Sequence, residues 1–279
     1  MKVLVTVKEV ATVEDDFEIS GTEIEETYLD YDLNEWDDYA VEEAVQLAEA
    51  GDSAEQSSAS NQVQPDDDVE VVAVTIGPER SEETIRMALA KGADRAVRVW
   101  DDAIEDVELL DVETKAELLG AVVADEDPDL VLSGVQANDD SFGATGVALA
   151  ETLGFEWAAV VNALDTETVL DESVASVRRE LEGGVEELTD IELPAVLAIQ
   201  TGINEPRYAS LRGIRQAQSK EIDVQSLDDL GISDVASSLD VTAMYEPETE
   251  SDAQYLDGDA GEQAGKLADV LREKGVVGE

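Results

Sequence analysis

DLVLSGVQANDDSFGATG, spanning residues 129–146, changes character half-way along. Asp129 to Ser133 is a β-rich apolar run that stops at Gly134, whereas Ser141 to Leu153 carries a helical pattern that Gly154 ends. Asp140 or Ser141 stands where a helix N-cap belongs. In open α/β sheets, ligands lie beyond the carboxyl ends of strands, where helix N-termini turn their amide donors outward. Gly143 and Gly146 permit close backbone approach, Thr145 offers a hydroxyl, and the helix start favours an anion such as a phosphate. Asp139 and Asp140 oppose a phosphate if they face it; ribose hydroxyls or the turn's own amides are their easier partners. An ordinary capped turn without a ligand satisfies the same pattern.

Outward from this stretch, strands are expected at Val3 to Val7, Val69 to Ile76, Arg95 to Trp100, Trp157 to Val161 and Pro194 to Ile199. Helical periodicity lies between them. In Trp36 to Ala50, Val41, Ala44, Val45 and Ala48 share one face, while Glu42, Glu43 and Glu49 fall largely toward water. Ile85, Ala88 and Leu89 mark a second helix ended by Gly92, and Leu119, Val122 and Val123 a third that stops before Asp127-Pro128. Alternating strands and helices imply an α/β fold with a doubly wound, mostly parallel, Rossmann-like sheet. Thr166 to Glu192, with Gly183-Gly184, reads as a small β excursion or hairpin. Gly51 to Asp68 is almost devoid of apolar residues and reads as a flexible surface insertion. The expected division is an α/β domain over 1–217 and an extended C-terminal arm over 218–279, lying on a partner, with a last helix at Gln263 to Lys274.

The chain has 279 residues and 43% hydrophobic content, enough for a substantial core. Its 69 acidic and 17 basic residues give a formal net charge of -52, spread along the whole length. Such self-repulsion disfavours compactness in dilute salt; in molar salt the Debye length falls to about 3 Å and the same surface becomes a hydrated coat. That pattern reads as halophilic adaptation, with recognition of a basic partner as the alternative. Clustered Lys and Arg for phosphate neutralisation are missing, which disfavours nucleic acid. With neither Cys nor His, thiolate, disulfide, iron–sulfur and histidine chemistry are excluded, so redox work requires a bound organic cofactor. No apolar run reaches a membrane span and Met1-Lys2 leads straight into strand-like sequence, so a cytoplasmic location is the expectation.

A second Gly-bearing turn, Ile76-Gly77-Pro78, follows another strand and could belong to the same rim. Neither GxxxxGK[ST] nor a strand-following GxGxxG is present. In order along the chain, VLVTVKE, DLNEWDDYAVEEAVQL, VVAVTIGPERSEETIRMALAKGADRA, DLVLSGVQANDDSFGATG, RRELEGGVEELTDIELPAVLAI and NEPRYASL resemble the β subunit of electron transfer flavoproteins. The resemblance covers residue 2 to about 217, interrupted at 51–68.

What the resemblance implies is a heterodimer in which an α subunit holds most of an FAD and this chain buries AMP. It places the nucleotide shell on Thr6, Asn34, Glu35, Trp36, Asp37, Ile76, and the loop Gln136, Ala137, Asn138, Asp139, Asp140, Ser141, Phe142, Gly143, Ala144, Thr145, Gly146 and Val147. Thr6 replaces a frequent Ala and Trp36 a frequent Phe; Trp36 could also reach toward the flavin, but a buried aromatic at a helix start is the favoured reading. The resemblance makes Asn204 to Leu211 a recognition loop, with Leu211 as an apolar anchor for dehydrogenase partners and Arg207 and Tyr208 shaping the loop. Arg212 stands where Pro is usual, and the Lys-rich stretch beyond is reduced to RQAQSK. The function implied is carriage of electrons from flavin dehydrogenases of the acyl-CoA type, in fatty acid oxidation, to a quinone oxidoreductase, without bond chemistry by this chain. Two alternatives stand beside it. One is an electron-bifurcating member with a second FAD, against which NDDSFGATG and NEPRYASL argue; the other is a stand-alone nucleotide-binding regulator resembling universal stress proteins.

Overall fold

A computed structural model describes residues 1–14, 16–57, 69–246 and 253–276. They fall into two units, Met1–Ala243 and Met244–Glu279. The first begins with β1 (Lys2–Thr6), β2 (Glu9–Val13), β3 (Ile19–Ser20), β4 (Glu23–Ile24), β5 (Leu29–Leu33) and α1 (Glu35–Ser57). It continues with β6 (Glu70–Ile76), α2 (Glu82–Lys91), β7 (Arg95–Val99), α3 (Asp102–Glu105), α4 (Val112–Glu126), β8 (Leu130–Gly134) and α5 (Thr145–Leu153). Then come β9 (Glu156–Leu164), α6 (Thr166–Glu172), β10 (Val174–Leu181), β11 (Val185–Glu192), β12 (Ala195–Ile199), α7 (Leu211–Ala217) and β13 (Ile222–Gln225). The second unit contains α8 (Ala260–Glu273), which opens on a capping box between Asp259 and Glu262.

One nine-stranded sheet runs in the order β11-β10-β9-β12-β8-β1-β6-β7-β13. From β9 to β13 every neighbouring pair is parallel; β10 and β11 are antiparallel additions at one edge. The chemistry of β1 explains its central place. Val3, Leu4 and Val5 are all fully buried, so both faces must be covered. Val3 and Val5 face a core beneath α1 and α2, while Leu4 joins a second core with α4 and α5. Each such side chain contributes roughly 1.5–3 kcal/mol by leaving water. The doubly wound α/β fold expected from the alternation of elements is thus present.

The chain order fixes the functional end of the sheet. From β1 it steps to β6 and then β7 on one side, and α4 carries it back to β8 on the other. The winding therefore reverses between β1 and β8, and the crevice outside their carboxyl ends is the place where such sheets bind ligands.

Several expectations change in detail. The helix expected to start at Ser141 starts at Thr145, because Ser141 and Gly143 take left-handed backbone (φ 52° and 61°). Gly51–Ser57 continue α1, and the rest of the expected insertion lies outside the described residues. The antiparallel pairs β2–β5 and β3–β4 between β1 and α1 were not read from the sequence. Beyond residue 217, β13 pairs with β7 and Leu227 is buried, so the chain there still belongs to the first unit. The expected last helix is found as α8. No helix among the described residues is long and apolar enough to cross a membrane.

Candidate functional site

Two helix starts converge on the end of β8, one from each face of the sheet. On the α1 side, Gly134 lies so close to the helix that an added Cβ would sit 2.5 Å from Asp37 Oδ1 and 2.6 Å from Trp36 Cβ. Only glycine fits. Asp37, 5% exposed, accepts from the Lys8 amide at 2.8 Å through Oδ2 and from the Gly134 amide at 2.9 Å through Oδ1. One carboxylate thus ties together the ends of β1 and β8, across the switch point. Burial raises its pKa to about 6, against the lowering effect of the two amides and Asn34. Buried Asn34 extends the tie: its Nδ2 donates to the Gln136 carbonyl at 2.9 Å and its Oδ1 accepts from the Asn138 amide at 3.2 Å.

The loop from Gln136 to Ala144 is shaped by its acids and by two lysines that the sequence reading had not included. Lys8 Nζ donates to Asp139 Oδ1 at 2.5 Å and to Asp140 Oδ2 at 2.8 Å, and Lys115 Nζ donates to the same Asp140 Oδ2. Lys115 also lies over the Phe142 ring, 4.9 Å from its centroid. Asp139 accepts the Asp140 amide at 2.7 Å, and Asp140 Oδ1 the Phe142 amide at 3.2 Å. Burial alone pushes Asp140 upward, but the two ammonium groups outweigh it and hold the carboxyl at about 2. Two carboxylates and two ammoniums cancel, which removes the objection that Asp139 and Asp140 raise to an anion nearby.

Neither Asp140 nor Ser141 caps α5. Asp140 is occupied as above, Ser141 Oγ donates to the Ala137 carbonyl at 3.2 Å, and the residue before the helix is Ala144, without a side-chain cap. The amides of Thr145, Gly146 and Val147 therefore form an open first turn. Gly146 is buried against the strand ends: a Cβ there would lie 2.4 Å from Ser133 Oγ and 3.6 Å from Ala198 Cβ. Ser133 is 4% exposed and its hydroxyl has no hydrogen-bond partner. A buried hydroxyl without a partner beside an uncapped helix start is a donor set that suits a phosphate or another small anion.

The remaining expected residues sit around this crevice. Thr6 and Ile76, both half-buried, end β1 and β6, and Arg98 Nη1 donates to the Gly77 carbonyl behind Ile76 at 3.2 Å. Glu35 is exposed at the start of α1. Trp36 is half-buried, with Nε1 donating to Gln200 Oε1 at 3.0 Å beyond the end of β12. Gly143 is exposed, and Ala137 is buried under the loop.

The second candidate segment, Asn204 to Leu211, is clamped on α1. Arg207 grips Glu42 through Nε at 2.8 Å and Nη2 at 3.0 Å, and Glu49 through Nη1 at 2.6 Å and Nη2 at 3.0 Å. Asn204 Nδ2 donates to the Tyr39 carbonyl and to Glu43 Oε2. Contrary to the periodicity reading, Glu42 and Glu43 do not face water; each is 4% exposed, because this loop covers them. Tyr208 and Leu211 project from the clamped loop, 99% and 77% exposed. Leu211 opens α7, which Ser210 caps and whose Gly213 approaches α2 so closely that a Cβ would meet the Ala90 carbonyl at 2.3 Å. Arg207 thus ties the loop to α1, and the Tyr208 side chain touches water almost entirely.

A family model for the electron transfer flavoprotein domain matches residues 22–230. The chain is 44% identical over 280 residues to the electron transfer flavoprotein subunit β of Methylophilus methylotrophus, covering 98% of each protein. It belongs to the electron transfer flavoprotein β-subunit family. Similar β subunits come from Bacillus subtilis, 30% identical over 99% of this chain and all of the relative, and from Sus scrofa, 36% identical over 88% of this chain and 86% of the relative. Electron transport as part of a flavoprotein follows, and the universal stress protein alternative is displaced. The domain match contains α1, the loop from Gly134 to Val147 and the clamped loop, whereas β1 and Lys8 lie ahead of it. Within this β-subunit chain the sequence reading missed Lys8, Lys115, Ser133, Glu42 and Glu43. Signals were available for Lys8, as the one cation in VLVTVKE, and for Ser133, which ends the strand next to Gly134; the others are joined to the site only by tertiary contacts.

Proposed function

We propose that this chain is the β half of a heterodimeric electron carrier, with FAD held mainly by an α subunit and AMP in the crevice beyond β1 and β8. The observation that carries the nucleotide assignment is the partnerless Ser133 hydroxyl beside the uncapped first turn of α5. Ser133 and the amides of Thr145 to Val147 would bind the phosphate. Asn34 and Asp37 hold the loop from Gly134 to Asn138 in place, and Thr6, Trp36 and Ile76 wall the crevice. FAD supplies the one- and two-electron chemistry of the heterodimer when bound. This chain's work is orientation, exclusion of water and docking.

Docking falls to Tyr208 and Leu211. An exposed leucine on a rigid loop gives orientation with little buried area, which suits a carrier that must leave its partner quickly. The partners in this reading are acyl-CoA-type flavin dehydrogenases on the donor side and a quinone oxidoreductase on the acceptor side, and the site of action is the cytoplasm.

Co-expression with an α subunit in molar salt, followed by the visible spectrum and nucleotide extraction, tests the assignment. The expected result is a yellow heterodimer releasing FAD and AMP in equal amounts. FAD alone, at two per heterodimer, would replace AMP by a bifurcating arrangement. A colourless chain that binds no α subunit would overturn the carrier reading. Leu211→Ala is expected to weaken transfer from a dehydrogenase, and unchanged transfer from every dehydrogenase removes the docking role.

A further inference from the structure

Two nearly buried carboxylates on α1, in a chain with four acids for every base, require a structural reason. Glu42 and Glu43 are each 4% exposed, and both meet side chains of the loop that presents Tyr208 and Leu211. Glu42 Oε2 accepts not only the Arg207 guanidinium but also the Arg207 backbone amide, at 3.1 Å. That bond fixes the main chain one residue before Tyr208. Burial pushes Glu42 upward, yet its bonds from Arg207 and Gln46 outweigh this and lower its pKa, so Glu42 stays charged and the clamp stays closed. Glu49, whose side chain is 60% exposed, completes the guanidinium's partners from the next turns of α1. Exposed ion pairs fade in concentrated salt, whereas a bidentate pair on a carboxylate that is 5% exposed is screened much less.

We infer that Glu42 and Glu43 are positioning residues for docking: through Arg207 and Asn204 they hold the loop so that Tyr208 and Leu211 stand ready for a partner. The inference rests on the docking role assigned above. A loop already fixed before encounter loses less entropy on binding, so the clamp acts on association without touching the flavin or the partner. Asn204 and Arg207 tie the loop to α1 and leave Tyr208 and Leu211 exposed, as a presentation device requires.

The test uses the heterodimer with its α subunit in molar KCl, comparing wild type, Glu42→Gln, Glu42→Ala, Glu49→Gln and Leu211→Ala. The first readout is KM and kcat for the heterodimer as acceptor of a reduced acyl-CoA dehydrogenase. The second needs no partner: hydrogen exchange of the Arg207 amide against that of β1 and β8. Glu42→Ala is expected to raise KM roughly tenfold with kcat little changed, equivalent to losing one charge-assisted hydrogen bond. Exchange at Arg207 should speed up by a similar factor while β1 and β8 stay protected. Glu42→Gln should fall between, and it carries the comparison alone if the alanine variant does not fold. Glu49→Gln should change KM by at most about twofold, as an exposed pair does. Equal loss of protection in the loop and in β1 and β8 would mean that Glu42 supports the fold and not the loop, which overturns the inference. So would Leu211→Ala raising KM while both Glu42 variants keep wild-type KM and loop exchange. If Leu211→Ala leaves transfer unchanged, or wild type accepts no electrons, the docking role falls first and this inference with it.

Discussion

Gly134→Ala probes the closest approach in the crevice. The new methyl would meet Asp37 Oδ1 at 2.5 Å, Trp36 Cβ at 2.6 Å and the Asp37 amide at 2.9 Å, so the start of α1 and the end of β8 must separate. Overpacking of this kind costs about 1–3 kcal/mol. Asp37 cannot retreat without stretching its bonds from the Lys8 and Gly134 amides, which are hydrogen bonds to a buried acid worth about 1.5–3 kcal/mol each when the acid is charged. If one of them is lost, the total is roughly 2.5–6 kcal/mol. Urea titration in molar salt should place the midpoint of Gly134→Ala lower by about 1–3 M, taking a slope of about 2–3 kcal/mol/M. Nucleotide retained through purification should drop in parallel, because the displaced elements line the crevice. Gly265→Ala is the matched control: it lies inside α8, nothing is within 4 Å of its added methyl, and helix propensity makes it neutral to slightly stabilising. A Gly134→Ala protein with a wild-type midpoint and full nucleotide content would refute the argument that α1 and β8 are held in contact here.

Asp37 predicts a pH dependence of definite sign. Its folded pKa, about 6, lies above the ordinary 3.8, so its contribution is greatest below 3.8 and is lost as pH rises through about 6. Relative to Asp37→Asn, wild type should lose about 1 kcal/mol of unfolding free energy between pH 5 and 8; a gain over that interval would contradict the assignment. Asp140 has the opposite sign: its two lysines hold it at about 2, so its contribution persists above 3.8 and disappears as pH falls through about 2. Lys115→Met should bring the Asp140 carboxyl up toward the ordinary range in an NMR titration, and no movement would deny Lys115 its role. Ser133→Ala removes a buried hydroxyl without a partner, so stability should hold or rise slightly while AMP affinity falls; unchanged AMP affinity would take Ser133 out of the phosphate site.

The sheet was legible because its central strands are apolar without interruption: Val3 to Val5 and Val71 to Val74 leave no doubt about burial on two faces. The loop at 134–146 could be read as a candidate ligand-binding turn because its glycines, acids and flanking periodicities lie consecutively. What the sequence hid was pairing at a distance. Lys115 is 25 residues from Asp140, and Arg207 is 165 from Glu42; nothing local announces either contact. Glu42 and Glu43 were misread for the same reason, since helical periodicity assigns charge to water and cannot anticipate a loop arriving from the far end of the domain. The cap of α5 failed differently. Asp140 and Ser141 have the correct chemistry, but left-handed backbone at Ser141 and Gly143 postpones the helix to Thr145 and leaves its first turn open. A sequence that looks capped thus folds to expose the amides that a phosphate needs.

The excess of acid also governs how the few cations are used. With 17 basic residues against 69 acidic ones, a cation on a single surface carboxylate would do little, particularly in concentrated salt. Instead three of the cations each hold two carboxylates, and each ties together elements distant in the chain. Arg95 joins Glu70 of β6 to Glu126 of α4, at 2.7 Å and 2.5 Å. Lys8 joins the end of β1 to Asp139 and Asp140, and Arg207 joins the docking loop to Glu42 and Glu49. In each case one partner is largely buried: the Glu126, Asp140 and Glu42 side chains are 11%, 12% and 5% exposed. Screening by salt reaches such pairs least, so concentrated salt should weaken these joints less than the exposed pairs. Two of the three joints stand at the proposed nucleotide crevice and the proposed docking loop. The acidic coat and the functional geometry therefore place one common demand on the sequence: its scarce positive charges belong where two elements must be held in register.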